Sequence, residues 1–295
     1  MEWIKAKSIL SGYVEGNSWF GTNYNMNIYR GCSHGCIYCD SRSDCYHVEN
    51  FDVVSAKANA LMMIERELQS KRKKGVIGTG AMSDPYNPQE KLFELTRGAL
   101  TRINRYGFGI AVATKSHLIT RDIDLYQQIA HHSPVLAKVT ITTADDALCA
   151  KLEPNVARSS VRFDAIKKLS DAGIFTGILM MPVLPFLEDN TENIRAIVDL
   201  AHQNGAKFIY PAFGVTLRQN QRVWFLNKLG EQFPEVKQQY LDTFGNAYEC
   251  RSPNAKGLWR QFKHDCEERG ILYRMADIVH AYKAPYTVEQ LSFFD

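Results

Sequence analysis

The sequence has no apolar run close to the roughly 18–20 residues that span a bilayer. Its first residues, Met1 to Lys5, lack the apolar stretch of a secretory signal. It also has no long low-complexity segment and no internal repeat with a period of about 20–50 residues. With 45% hydrophobic and 23% charged residues in a chain of 295, the composition excludes wholesale disorder. We therefore predict a globular, cytoplasmic protein without a membrane segment.

An excess of charge of one sign is also lacking, because 35 basic residues face 32 acidic ones and leave a net charge of +3. This balance permits an anionic partner without demanding one. Cysteine is unevenly placed, since the chain has seven and three of them lie between positions 32 and 39. In a reducing compartment, such a cluster indicates a metal or redox site rather than a disulfide framework.

Short strand-like runs alternate with amphipathic helices along most of the chain. Strands are predicted at residues 24–29, 75–80, 109–114, 135–142, 174–182 and 206–213. Helices with apolar stripes are predicted after Thr120 and at residues 54–74, 89–106, 159–172 and 190–204. Strands separated by helices indicate right-handed β-α-β units and a parallel sheet. Six such units favour an open, partial (β/α)6 TIM-like barrel over a closed eightfold one.

This alternation ends near Gly214 and divides the α/β fold into several parts. They are an N-terminal extension at 1–23, the barrel at 24–214, an α-rich C-terminal extension at 215–287 and a tail at 288–295. In the C-terminal extension, a helix predicted at 254–269 carries an apolar stripe that includes Trp259 and Cys266. We expect both of these side chains to lie in the core.

The strongest chemical signal is the loop that follows the first predicted strand. Cys32, Cys36 and Cys39 form a C-x3-C-x2-C pattern, and thiolates at this spacing can surround one soft metal centre. An iron–sulfur cluster normally takes four thiolates, so three leave one iron open to another ligand. The alternative is a zinc site that recruits Cys45 or His34 as its fourth ligand.

Polar residues also follow the other predicted strands. They are Ser83 and Asp84 after the second strand, Lys115 after the third, and Thr140 and Thr142 at the end of the fourth. Each one alone is typical of a turn or of a solvated charge. Because the carboxyl ends of parallel barrel strands converge, we expect these side chains to surround the cysteine loop.

The three cysteines, with aromatic Tyr38 before the last of them, resemble the cluster loop of the radical S-adenosylmethionine superfamily. This resemblance implies a [4Fe–4S] cluster whose open iron binds S-adenosylmethionine. It also implies an electron donor such as flavodoxin or ferredoxin. One electron would cleave the sulfonium and give a 5′-deoxyadenosyl radical that abstracts hydrogen from the substrate, with the protein supplying position and electrostatics.

A finer similarity is to the spore photoproduct lyase-like branch, whose members are often labelled DNA repair photolyases. Its motifs here lie at residues 29–32, 82–86, 113–115, 140–142 and 152–154, followed by Arg162. By this resemblance Ser83, Lys115 and Thr140 hold the methionine part of S-adenosylmethionine, and Tyr38, Asp84 and Thr142 belong to the same site. Arg162 is a further candidate for the carboxylate, and the alternative is an arginine on a helix surface.

The sequence departs from this branch at one position. The lyases place a hydrogen-donating cysteine two residues before the serine that corresponds to Ser83, whereas this chain has Ala81 there. Cys45 and Cys250 are candidate replacements if the fold brings them near the site. The departure weakens the expectation that the chain directly reverses the spore thymine lesion.

Two further segments bear on a nucleic-acid partner. Residues 251–274 carry six basic and three acidic residues with Trp259 and Tyr273 between them, a composition that could follow phosphates. The tail from Gln290 to Phe294 resembles peptides that dock on the bacterial sliding clamp. The alternative is that Leu291 and Phe294 fold back onto the barrel.

These observations together predict a radical S-adenosylmethionine enzyme that acts on a nucleic acid, with DNA lesion repair as one case. Two alternatives remain. The first is radical modification of a small molecule or a protein. The second is a zinc-binding module without catalysis.

Overall fold

The computed structural model describes residues 2–13 and 19–287, and in these ranges the chain forms eleven strands. They are β1 (Glu2–Ile4), β2 (Leu10–Gly12), β3 (Tyr24–Met26), β4 (Tyr29–Arg30), β5 (Ser55–Lys57), β6 (Val76–Gly78), β7 (Gly109–Thr114), β8 (Val135–Thr140), β9 (Thr176–Val183), β10 (Phe208–Thr216) and β11 (Glu249–Arg251). Eleven helices accompany them. They are α1 (Ala60–Ser70), α2 (Glu90–Phe93), α3 (Leu95–Arg105), α4 (Ile123–Ala130), α5 (Asp146–Leu152), α6 (Ser159–Asp171), α7 (Thr191–Gln203), α8 (Gln221–Gln232), α9 (Pro234–Phe244), α10 (Ala255–Glu268) and α11 (Met275–Lys283).

The main sheet has the order β11-β10-β9-β8-β7-β6-β3-β2. Its six central strands, from β3 to β10, are parallel, while β2 and β11 are antiparallel additions at the two edges. In the described ranges β3 and β10 do not pair, so the barrel is open between them. The predicted partial (β/α)6 architecture is confirmed.

The first predicted strand is wrong in one respect, because residues 24–29 divide between two sheets. β3 pairs with β6 in the barrel, whereas β4 turns away and pairs with β5 in a separate three-stranded sheet. The change of partner carries the cysteine loop outward, over the carboxyl end of the barrel. Residues 55–57 consequently form a strand, and the helix predicted from residue 54 begins only at Ala60.

The helix predicted at 89–106 is also interrupted. Glu94 adopts a left-handed conformation with φ of 48°, which separates α2 from α3. The buried Glu90 carboxylate explains the break, because it accepts hydrogen bonds from the Thr96 amide at 3.0 Å and from Arg121 Nη2 at 2.9 Å. Satisfying this buried charge outweighs one continuous helix.

The amphipathic pattern correctly predicts the helix faces that cover the sheet. Ile194, Ile197, Val198 and Ala201 of α7 are fully buried, and Asn190 caps the helix by accepting a hydrogen bond from the Asn193 amide. Helices of the C-terminal extension continue the core on the far side of β10.

One core prediction in that extension is wrong. Cys266 is buried as expected, but Trp259 is 40% exposed at the edge of the α10 stripe. The indole lies where the packed face of the helix meets solvent. Of the helices in the described ranges, none has the length and apolar character needed to cross a membrane. The tail from Gln290 to Phe294 lies outside those ranges, so the clamp-binding hypothesis stays a prediction.

Candidate functional site

A cavity of about 180 Å³ lies at the carboxyl ends of the barrel strands. The thiols of Cys32, Cys36 and Cys39 line it together, and all three cysteines are free. Residues from three successive strand ends form a large part of the remaining wall. They are Gly80, Met82, Ser83 and Asp84 after β6, Ala113, Thr114 and Lys115 at β7, and Thr140 at β8.

Backbone contacts fix one side of the cysteine loop. Gly31 has φ of +75°, and a Cβ there would lie 2.5 Å from the carbonyl oxygen of Val53, so no other residue fits without displacement. The Cys32 amide donates to the Phe51 carbonyl at 2.7 Å, and the Ser83 hydroxyl donates to the Gly31 carbonyl at 2.6 Å. The loop is therefore tied to two neighbouring segments before any ligand binds.

The other side of the loop rests on α5, α8 and the turn after α5. The Ile37 amide donates to the Leu152 carbonyl at 3.0 Å, and the Asn155 amide donates to the His34 carbonyl at 3.1 Å. From α8, Gln221 Nε2 donates to the Tyr38 carbonyl at 3.0 Å. Contacts from both sides explain how a loop without regular structure can hold three thiols in one arrangement.

Asp84 joins the β6 and β7 ends. Its Oδ1 accepts from Thr114 Oγ1 at 2.6 Å and from the Tyr86 amide at 2.8 Å, and its Oδ2 accepts from the Lys115 amide at 2.8 Å. His34 Nδ1 lies 3.5 Å from the same Oδ2. Asp84 lines the cavity as expected, but its oxygens are engaged in holding the walls together.

Lys115 places an ammonium group at the cavity. In the described part of the chain its Nζ forms no hydrogen bond or ion pair, and it lies 5.5 Å from the centre of the Tyr38 ring. Burial disfavours its charge, but the negative charges of Cys36, Glu153 and Cys39 outweigh this and raise the pKa of Lys115. Lys115 therefore offers an uncommitted cation beside the thiols.

Arg162 corrects both sequence-based expectations, because it neither reaches the cavity nor lies on the surface. Its side chain is fully buried in α6, where Nε donates to the Ala157 carbonyl at 2.8 Å and Nη1 to the Thr140 carbonyl at 2.7 Å. Nη2 pairs with Glu153, whose carboxylate also accepts a hydrogen bond from the Tyr38 hydroxyl.

The Glu153 carboxylate is charged despite its burial. Burial alone would raise its pKa, but Arg162, Lys115 and the Tyr38 hydrogen bond hold the pKa below its usual value. Arg162 thus holds Thr140 directly, and Tyr38 through Glu153, from outside the cavity. The Tyr38 side chain is buried, although Tyr38 belongs to the cysteine loop. It takes part in this hydrogen-bond network and does not line the cavity.

Three other predicted residues also lie away from the cavity lining. Thr142 is buried and donates to Glu188 Oε1 at 2.6 Å, because the chain turns away where β8 ends at Thr140. Cys45 is exposed on the turn Asp44–Tyr46, with its Sγ 3.7 Å from an Arg218 nitrogen. Cys250 is fully buried in β11. The structure does not bring either candidate hydrogen donor to the cavity.

Part of the cavity lining is apolar and consists of Phe51, Met82, Leu179 and Met181. Met82 lies in the predicted motif at residues 82–86, whereas Phe51 and Leu179 were missing from the prediction. Leu179 and Met181 lie two residues apart on β9 and therefore face the same side of the sheet. The two-residue period of a strand could have indicated them. Phe51 lies in a loop and has no such signal.

The three cysteines line one cavity, so they can bind one metal centre together. In the described ranges the ligand atoms of Cys32, Cys36 and Cys39 do not all lie within 4.8 Å of one another. A single tetrahedral zinc ion would require them to move closer, because Zn–S bonds of about 2.3 Å bring its sulfurs to about 3.8 Å from one another. Burial also raises the pKa of Cys32 to about 12, so binding of iron releases its proton.

Comparison with known proteins identifies the class. The Radical SAM superfamily matches residues 26–201, which is more than half of the chain, so the protein belongs to that superfamily. It is therefore an enzyme, and a [4Fe–4S] cluster and S-adenosylmethionine are its cofactors. The three thiols and the uncommitted Lys115 ammonium fit this pair of groups.

Several proteins are similar to this chain in sequence. An uncharacterized protein of Mycobacterium tuberculosis is 28% identical over 228 residues, covering 75% of this chain and 67% of that protein. One from Methanocaldococcus jannaschii is 33% identical over 172 residues, covering 57% of this chain and 63% of the relative. The Radical SAM Nalpha-GlyT isomerase of Pseudomonas phage M6 is 23% identical over 214 residues, covering 72% of this chain and 44% of the isomerase.

Solved structures share the fold. A spore photoproduct lyase complexed with dinucleoside spore photoproduct superimposes with a TM-score of 0.63 and 14% identity, covering 91% of this chain and 80% of the lyase. A mutant of that lyase with bound AdoMet and the same dinucleoside also gives 0.63, at 13% identity and with 86% and 77% covered. At these identities the likeness establishes the partial barrel and no more.

The cluster ligands can be tested by removing one thiol. We expect Cys36→Ala to abolish the iron chromophore of anaerobically reconstituted protein, because two thiolates of the loop cannot hold the cluster. Iron per chain and bleaching by dithionite measure the effect. Cys45→Ala is the matched control and should keep full iron. Normal iron content in the Cys36 variant would contradict the three-thiolate site.

The buried network makes a separate prediction about stability. Arg162→Met should lower the free energy of unfolding by about 3–5 kcal/mol, because it leaves the Glu153 carboxylate buried without its cation. Urea denaturation of the apoprotein measures this loss. Lys167→Met removes an exposed cation from the same helix and should cost less than about 1 kcal/mol. Similar losses in both variants would contradict a Glu153 charge that depends on Arg162.

Proposed function

We propose that this enzyme cleaves S-adenosylmethionine reductively and directs the resulting radical to a nucleic-acid substrate. The observation that carries the first part is the shared cavity, in which three thiols and one unpaired ammonium face the same space. When bound, the cluster and S-adenosylmethionine supply one-electron cleavage of the sulfonium, which gives methionine and a 5′-deoxyadenosyl radical.

The polar wall suits the methionine end of the cofactor. Lys115 would pair with the carboxylate, since its ammonium is the uncommitted cation of the described cavity lining. The Thr140 hydroxyl lines the same wall and has no partner in the described ranges, so it can accept from the ammonium. Ser83 lines the cavity too, while its hydroxyl anchors Gly31. Asp84 holds the β6 and β7 ends together through its three hydrogen bonds.

The apolar wall has a different task. Phe51, Leu179 and Met181 restrict water beside the polar groups. A dry site strengthens the pairing of charged groups and protects a reactive radical from side reactions. The chain therefore contributes orientation, charge and dryness, while the cofactors contribute the redox chemistry.

One likeness supports a nucleic-acid substrate, because the lyase that shares the fold was solved with a dinucleoside photoproduct. The phage relative is named as an isomerase, so a radical rearrangement is one form that the reaction can take. Ala81 and the remote positions of Cys45 and Cys250 argue against a lyase reaction that ends on a cysteine of this site. We therefore propose a radical transformation of DNA, and lesion repair by another terminal donor is one form of it.

Partners of this reaction follow from the same proposal. An electron donor such as flavodoxin or ferredoxin would reduce the cluster. The tail from Gln290 to Phe294 would bring the enzyme to DNA through the sliding clamp. A substrate that is a small molecule or a protein is the alternative outcome.

The role of Lys115 can be separated from cluster assembly. Lys115→Met should keep its iron but bind S-adenosylmethionine about tenfold or more weakly, because a hydrogen bond to a charged group contributes about 1.5–3 kcal/mol. Equilibrium dialysis of reconstituted protein measures the affinity. Lys91→Met removes an exposed lysine outside the cavity and serves as the control. Unchanged affinity in the Lys115 variant would remove the carboxylate-binding role.

The substrate class can be tested in one anaerobic assay. Reconstituted enzyme is incubated with S-adenosylmethionine and dithionite, with and without ultraviolet-irradiated and intact DNA, and 5′-deoxyadenosine is quantified. We expect DNA to increase its formation several-fold and to be altered itself, because a correctly placed substrate consumes the radical productively. If DNA leaves the yield unchanged and a peptide or metabolite raises it, the nucleic-acid proposal is wrong.

A further inference from the structure

One side of α10 is unusually basic and carries an aromatic ring. Lys256, Trp259, Arg260 and Lys263 are spaced three, four and seven residues apart, so they project from the same side of the helix. Lys256 and Arg260 are exposed and form no ion pair with any carboxylate in the described ranges. Lys263 lies 3.7 Å from Glu267. We refer to these four residues as the α10 face.

In the described ranges, Glu267 beside Lys263 is the one acidic residue of α10 that pairs with this face. Asp265 is buried and lies 3.9 Å from Arg195, and Glu268 lies 3.5 Å from Arg269. Glu267 accepts a hydrogen bond from the Tyr273 hydroxyl at 2.7 Å. Lys256 and Arg260 therefore remain available to anionic groups from outside the chain.

Trp259 is held firmly although it is 40% exposed. Its ring contacts Phe213, Phe262 and Tyr273 at centroid distances of 6.5, 5.7 and 5.9 Å. The planes of Phe213 and Tyr273 are tilted by 76° and 81° against the indole, so neither is stacked on it. An exposed, immobilised indole is a platform on which a nucleic-acid base can stack.

The α10 face is connected to the cysteine cavity through β10 and β9. Phe213, which contacts Trp259, is on β10 and pairs in register with Val183 of β9. Met181, two residues earlier on β9, lines the cavity. Phe213 thus connects the indole to β9, the strand whose Met181 forms part of the cavity wall. Arg251 on the neighbouring β11 lines a second cavity beside β10, together with Glu249.

We infer that the α10 face binds single-stranded nucleic acid. Lys256, Arg260 and Lys263 contact the phosphates, and an unpaired base stacks on Trp259. The strand then passes over the second cavity, which residues of β10 and β11 line, toward the cysteine cavity. The direction of the strand rests on the proposed function, whereas binding at the α10 face stands on the charges and the exposed indole.

Binding can be measured by fluorescence anisotropy with a labelled oligothymidylate at several salt concentrations. For the double variant Lys256→Ala/Arg260→Ala, loss of two phosphate contacts should reduce the slope of log affinity against log salt by about 1.4. Trp259→Leu should weaken binding by about tenfold with an unchanged slope, because it removes stacking but no charge. Circular dichroism verifies that each variant is folded.

A matched control removes the same charge elsewhere. Arg72 and Lys73 are exposed just before β6, at the amino ends of the strands and therefore at the opposite end of the barrel from the cavity. Arg72→Ala/Lys73→Ala should leave both the affinity and its salt slope unchanged. An equal loss in this control would overturn the assignment, because it would show that net charge alone determines binding.

Three other results would also overturn the inference. They are absence of oligothymidylate binding by the unaltered protein, equally tight binding of a matched duplex, and equal competition by polyglutamate. Cleavage of S-adenosylmethionine by dithionite without DNA is measured in the same variants and should not change. If the unaltered protein binds the strand but fails to cleave the cofactor, the proposed function fails while this inference stands.

Discussion

The arrangement of the site depends on the contacts that the Glu153 carboxylate makes. It lies between the Tyr38 hydroxyl of the cysteine loop and the Arg162 guanidinium of α6, and Arg162 in turn donates to the Thr140 carbonyl at the end of β8. One buried charge pair therefore links the loop, a barrel helix and a barrel strand. A buried pair of this kind contributes little net stability, but removing either partner is costly. Such a pair fixes one geometry, which a loop with three thiols requires.

Charge explains why this support lies behind the site rather than in it. Thiolates that bind a cluster bring negative charge into a space with few water molecules, and a cation nearby stabilises them. Lys115 supplies that cation and has no partner of its own in the described ranges. If Arg162 also faced the cavity, Glu153 would be left buried and unpaired. Lys115 is therefore available to the ligand, whereas Arg162 pairs with Glu153 and holds the protein in place.

The sequence predicted the features that repeat and missed those that depend on long-range contacts. Strand ends converge in any parallel barrel, so Ser83, Asp84, Lys115 and Thr140 could be placed around the cysteines before the structure was known. Arg162 could not be placed, because the family motifs that contain Glu153 and Arg162 do not show that the two side chains pair with each other. Strands of two or three residues, such as β4 and β5, show no periodicity, so the second sheet was not predicted. Trp259 lay on the predicted stripe, but its exposure depends on packing against Phe213 and Tyr273, which lie in other segments of the chain.

The opening between β3 and β10 determines from which end of the barrel a substrate can reach the site. Its lower half is filled by Phe20, which packs against Phe208 and Tyr210 and whose carbonyl accepts a hydrogen bond from Tyr282 of α11. Lys138 faces the same ring from across the barrel at 4.6 Å, and burial lowers its pKa to about 7. The amino end of the barrel is thus packed, so a large substrate must approach from the carboxyl end. At that end the Ser252 amide, just before α10, donates to the Phe213 carbonyl of β10 at 3.1 Å, so the proposed α10 face lies on the side from which such a substrate approaches.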